Sequence, residues 1–69
     1  MVDDALSRQA EHERDSAANV RFRNIIEVRR SGGVRCVELS NREIATSSSY
    51  CYRAKGGRWE LSSERVGTR

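Results

Sequence analysis

Tyr50-Cys51-Tyr52-Arg53-Ala54-Lys55-Gly56-Gly57-Arg58-Trp59-Glu60-Leu61 is the stretch on which the fold turns. Two alternating runs flank Lys55-Gly56-Gly57, and paired glycines supply the left-handed backbone that a tight hairpin turn needs. Tyr50, Tyr52 and Ala54 point to one side, Cys51 and Arg53 to the other, and Trp59 and Leu61 share a face beyond the turn. Three of the four aromatic rings of the chain lie here. Rings are the largest burial units available, so a core is expected to form around them.

Upstream, Val34 to Leu39 reads as a short strand after the turn Ser31-Gly32-Gly33. Val34 and Cys36 fall on one face, Val37 and Leu39 on the other. Apolar residues on both faces indicate an interior strand or one covered by a helix. Val20, Phe22, Ile26 and Val28 are apolar at even positions, with Asn24 the exception. The odd positions Arg21, Arg23, Glu27 and Arg29 are charged, so residues 20–30 read as a half-buried strand. A helical reading through Ala18, Phe22, Ile25 and Ile26 competes, and the β-branched residues favour the strand.

Residues 3–19 hold good helix formers with no Gly or Pro, and Asp3 and Asp4 suit a helix N-terminus. Ser40-Asn41-Arg42-Glu43 has the spacing of a capping box, which a turn or two of helix would follow. Residues 63–69 read as a polar tail. The expectation is a single α+β domain over 1–69, with an N-terminal helix and an antiparallel β-meander of three or four strands in residues 20–62.

Composition narrows the function. Sixty-nine residues, 36% of them hydrophobic and 33% charged, make a small core. Such a core supplies roughly 3–5 kcal/mol, and self-association is a common remedy. A homodimer is therefore expected, with Leu6, Phe22, Ile26 and Val28 as core or dimer contacts. Two Cys and one His do not complete a four-ligand Cys/His site, so neither metal nor cofactor is expected. No apolar run reaches the length of a membrane span, and no signal peptide begins the chain, which points to the cytoplasm. Cys36 and Cys51 are then expected to be reduced, a disulfide requiring an oxidising compartment.

Charge is uneven. In residues 1–19, two arginines against five carboxylates leave −3, whereas in residues 20–35 five arginines against one glutamate leave +4. Nothing in the pattern points to catalysis: His12 lies between Glu11 and Glu13 on a polar stretch, and both Gly-Gly pairs have turn spacing rather than that of a phosphate loop. The chain reads instead as a small non-enzymatic regulator that binds and modulates another protein, with inhibition the favoured sense over activation, a composition common among phage and mobile-element proteins. Its expected contact residues are Arg21, Arg23, Tyr50, Tyr52 and Trp59, types that dominate interfaces. The alternative is nucleic-acid binding, with Arg residues on phosphates and sheet aromatics stacked on bases.

Two short resemblances complete the reading. Ser40-Asn41-Arg42-Glu43-Ile44-Ala45 resembles the start of a LuxR-type helix-turn-helix, although Thr46 to Tyr50 stand where the second helix would begin. Ala10-Glu11-His12-Glu13-Arg14 and Glu27 to Glu38 resemble DksA/TraR-type regulators of RNA polymerase. Of that family's four zinc-binding cysteines only Cys36 has a counterpart here, and Leu39 stands in the place of its partner.

Overall fold

The structure, a computed structural model, describes residues 1–67. Two helices precede a four-stranded antiparallel sheet: α1 Val2–Glu13, α2 Ala17–Arg23, β1 Asn24–Ser31, β2 Val34–Asn41, β3 Ser47–Lys55 and β4 Arg58–Arg65. The strands lie side by side in sequence order, β1-β2-β3-β4. This is the expected α+β meander.

The expected helix over 3–19 is two helices. Helix α1 buries Ala5, Leu6, Gln9 and Ala10, a stripe spaced one turn apart. It stops at Arg14, which adopts a left-handed conformation (φ 55°) while the Asp15 N–H donates to the Ala10 carbonyl at 3.0 Å. Ser16 then caps α2, its Oγ accepting from the Asn19 N–H at 3.1 Å.

Residues 20–23 are helical rather than extended, so Arg21 and Arg23 lie on α2 and not on a strand face. Asn24 decides the boundary. Its Nδ2 donates to the Val20 carbonyl at 2.8 Å, standing in for the next backbone bond of the helix. That frees the Asn24 backbone to turn extended (φ −119°, ψ 146°) and begin β1.

Both Gly-Gly pairs close two-residue hairpins, with Ser31 paired to Val34 and Lys55 to Arg58. Gly56 and Gly57 have φ of +59° and +80°, values that side-chain-bearing residues adopt at a cost. The link between β2 and β3 is a turn rather than a capped helix. The acceptor there is Asn41, not Ser40: its Oδ1 takes the N–H groups of Glu43 (2.8 Å) and Ile44 (3.1 Å). Strand β4 runs to Arg65, into the region expected to be tail. Gly67 follows, its N–H donating to Ser48 Oγ at 3.0 Å. A Cβ on Gly67 would collide with the Ser47 backbone, so the chain packs there only as glycine. The last two residues of the expected tail, Thr68 and Arg69, lie outside the described residues.

The helices cover one face of the sheet. Val37 and Leu39 of β2 and Tyr50 and Tyr52 of β3 meet Ala5, Leu6 and Ala10 of α1 and Val20 of α2. Between β3 and β4 the register slips at Cys51/Tyr52, so that Tyr52 faces Leu61 while Cys51 faces Ser63. Trp59 and Leu61 share a face with Tyr52, as the alternation predicts. On the opposite face Cys36 and Cys51 sit directly across from each other, Cα atoms 4.0 Å apart, and form a disulfide. The expectation of reduced thiols is thereby corrected: the meander pairs the two residues in register, a juxtaposition that their separation along the chain does not reveal. Reduced thiols follow from the expected cytoplasmic location, and the disulfide gives that location no support. Among the described residues, no helix is long and apolar enough to cross a membrane.

Candidate partner-binding surfaces

Two of the residues expected at a contact surface are interior. Tyr50 is 0% exposed and Tyr52 2%. The Tyr50 hydroxyl donates to Gln9 Oε1 at 2.6 Å, Gln9 Nε2 donates to Glu13 at 2.7 Å, and Glu13 accepts from Arg23 at 2.9 Å. Arg23 also pairs with Asp15 at 2.8 Å, and Asp15 accepts from Asn19 and from the Ser16 N–H. One chain of bonds thus links β3, α1 and α2. A shorter one joins Tyr52 to Asp4 (2.7 Å) and Asp4 to Arg8 (2.8 Å).

The ionisation of these groups follows from their neighbours. Burial pushes the Tyr50 hydroxyl up to about 12, with Glu64 adding to the effect. Burial also raises Tyr52, reinforced by its bond to Asp4. Asp4 is lowered by the bonds from Arg8 and then Tyr52. Asp15 is held at about 2 by the bonds from Asn19, the Ser16 N–H and Arg23, in that order. The shifted groups are engaged in bonds within the fold, Tyr50 and Tyr52 in the interior and Asp4 and Asp15 at its surface. That leaves Tyr50, Tyr52 and Arg23 as fastening for the helices. Arg21 is exposed and reaches Asp3 at 3.3 Å.

The first free surface lies along β1, an edge strand whose outward backbone groups have no partner strand. Phe22 is 77% exposed, Ile25 50% and Val28 45%. Ile44 joins them, because the Arg42 N–H donates to the Arg23 carbonyl at 2.7 Å and brings the β2–β3 turn beside the start of β1. Of the expected core or dimer residues, Leu6 is buried and Ile26 partly so, while Phe22 and Val28 stand in solvent. They are not core residues of the monomer.

The second surface is the end of the sheet where both hairpins turn. A meander sends its first and third turns to the same end, and here they carry Arg30, Arg35, Arg53, Lys55 and Arg58 against Glu60 alone, a local charge of +4. Trp59, half-exposed, lies beneath the Arg35 guanidinium at 5.5 Å from its ring centre. Of the residues singled out by sequence, the structure therefore places only Trp59 on this end.

Beyond the disulfide, the open face of the sheet carries an ion pair between Arg29 and Glu38 at 3.2 Å. A shallow depression of about 490 Å³ lies nearby, lined mainly by Ser47, Ser49, Ser63, Glu38 and Arg65. Among the described residues, no three His, Cys, Asp or Glu side chains gather as a metal-binding group.

Sequence reasoning missed Phe22, Ile25 and Ile44 as a group because it read residues 20–23 as strand. The signals were present in Asp15-Ser16, a capping pair, and in Asn24, the one polar residue of the even series. No family model, curated protein or solved structure matches the chain.

Proposed function

We propose that this protein is a non-enzymatic regulator that acts by docking on another protein through the β1 edge. The observation that carries the reading is the exposure of Ile25 and Val28, on opposite faces of an unpaired strand edge, with exposed Phe22 on the helix just before it. An incoming strand would satisfy the free backbone groups and set its own side chains beside Ile25 on one face and Val28 on the other. Solvation of these side chains brings a small domain no stability, whereas burial in an interface contributes about 25 cal/mol per Å².

The edge also suits a second copy of the chain, which supports the homodimer expected from size. Paired antiparallel about Val28, two β1 strands set Glu27 opposite Arg29 twice over and Val28 against Val28. The engagement of Tyr50, Tyr52, Asp4 and Asp15 in the fold's own bonds supports a binding role over catalysis.

The test compares the wild type with Phe22→Glu and Ile25→Glu, both at exposed positions. Size-exclusion chromatography with light scattering reads self-association, and affinity capture with nuclease treatment reads other proteins. Loss of the dimer or of a captured protein in both variants, with unchanged circular dichroism, is the expected result. Variants that retain every association of the wild type would sink the edge reading.

A further inference from the structure

We infer that the hairpin end of the sheet binds the phosphate backbone of duplex DNA, a second site apart from the β1 edge. Two cross-strand pairs carry the inference. Arg30 faces Arg35 across the first hairpin, and Lys55 faces Arg58 across the second. Like charges directly opposite each other on adjacent strands are destabilising, yet the fold places one such pair beside each turn. Among the described residues, none of Arg30, Arg35, Arg53 and Arg58 enters an ion pair. Asp4 is engaged by Arg8 and Glu38 by Arg29, while Glu60, opposite Arg53, lies 4.0 Å from Lys55. Bound phosphates would relieve both repulsions together.

The charges lie on both faces of the sheet. Register puts Arg30 and Arg35 on the helix side and Arg53, Lys55 and Arg58 on the open side. A flat anionic surface would meet only one of these sets. The walls of a groove meet both. One sheet layer with its side chains is about 10 Å thick, against a B-DNA major groove about 12 Å wide and 8.5 Å deep. The two turns, both built of glycines, present bare backbone at the tip, so the end can enter while arginines reach the phosphates on either side. Arginine's fork suits those bidentate contacts.

The experiment measures anisotropy of a fluorescein-labelled 20-bp duplex titrated with the full chain between 50 and 200 mM salt. Four phosphate contacts predict a slope of log K against log salt of about −3.6, an affinity loss on the order of 100-fold over that range. In Arg30→Glu/Arg58→Glu each substitution turns a repulsive cross-strand pair into an attractive one. The melting temperature is therefore expected to hold or rise, while affinity falls at least about tenfold and the slope flattens by about 2. Arg30→Lys/Arg58→Lys keeps the binding. Phe22→Glu leaves it unchanged, which separates this site from the edge. No duplex binding at 50 mM salt, undiminished binding by the charge-reversed variant, or tighter binding to polyglutamate or to the single strand would each overturn the inference.

Discussion

Tyr52 and Trp59 belong to one hairpin, share one face of the sheet and lie on neighbouring strands, yet Tyr52 is buried and Trp59 stands half in water. The difference is the reach of α1. Its N-terminal turn ends over Tyr52, whose hydroxyl donates to Asp4, and Trp59 on the next strand lies beyond that cover. Alternation along a strand decides which face a ring occupies. Whether that face is interior depends on the length of whatever packs above it. The covered half of the sheet is consequently a tightly bonded core, and the bare half is a charged surface held up by two hairpins.

Truncation in the two halves should separate them most widely. Leu39→Ala, at a site 1% exposed, is expected to cost about 3–5 kcal/mol and to leave little folded protein. Trp59→Ala, at the bare end, should cost about 1 kcal/mol, the scale of an exposed cation–π contact. Urea titrations followed by circular dichroism measure both, and equal costs would erase the distinction between covered and bare halves.

The disulfide comes next in size. Cys36 and Cys51, 15 residues apart, fasten β2 to β3 on the uncovered side. A loop of that length corresponds to about 3 kcal/mol in the chain-entropy account. Reduction, or Cys36→Ala/Cys51→Ala, should lower the urea midpoint accordingly. A thiol titration of the untreated protein should find no free sulfhydryl, and two reactive thiols would show that the strands pair without the bond.

Effects of pH act through Asp15, exposed at the α1–α2 junction, and through buried Tyr50, and are the smallest. Asp15 falls from its ordinary 3.8 to about 2 in the folded chain, so the stability it contributes is complete above pH 3.8 and lost as pH falls through about 2. Tyr50 has the opposite sense. Its value rises from 10.0 to about 12, so its contribution is complete below pH 10 and lost as pH rises through about 12. Helicity followed on acidification should decline over the first window, and Asp15→Asn should remove that part of the decline. Tyrosinate absorbance should show no early-titrating group at Tyr50.

Much of the fold was legible because the deciding signals are local. Gly32-Gly33 and Gly56-Gly57 announced both hairpins, and alternation through Tyr50–Leu61 assigned its faces correctly. The candidate surfaces were less legible. Arg21 and Arg23 were assigned to a strand because Phe22 and Ile26 fit a period of two, whereas Ser16 and Asn24 bracket a helix over the first of these residues. Tyr50 and Tyr52 read as contact residues by type, and aromatic type does not record burial.

By itself the sequence determined the alternation through β3 and β4, the two Gly-Gly hairpin turns and the charge of each segment, since each depends on residues within a few positions of one another. Tertiary structure alone decided the rest. It set which rings α1 covers, joined Cys36 to Cys51, and brought two separate basic hairpin tips to one end. The physical reason is that burial, disulfide pairing and local field depend on distances between elements remote in the chain, and those distances exist only once the meander has closed and the helices have packed upon it.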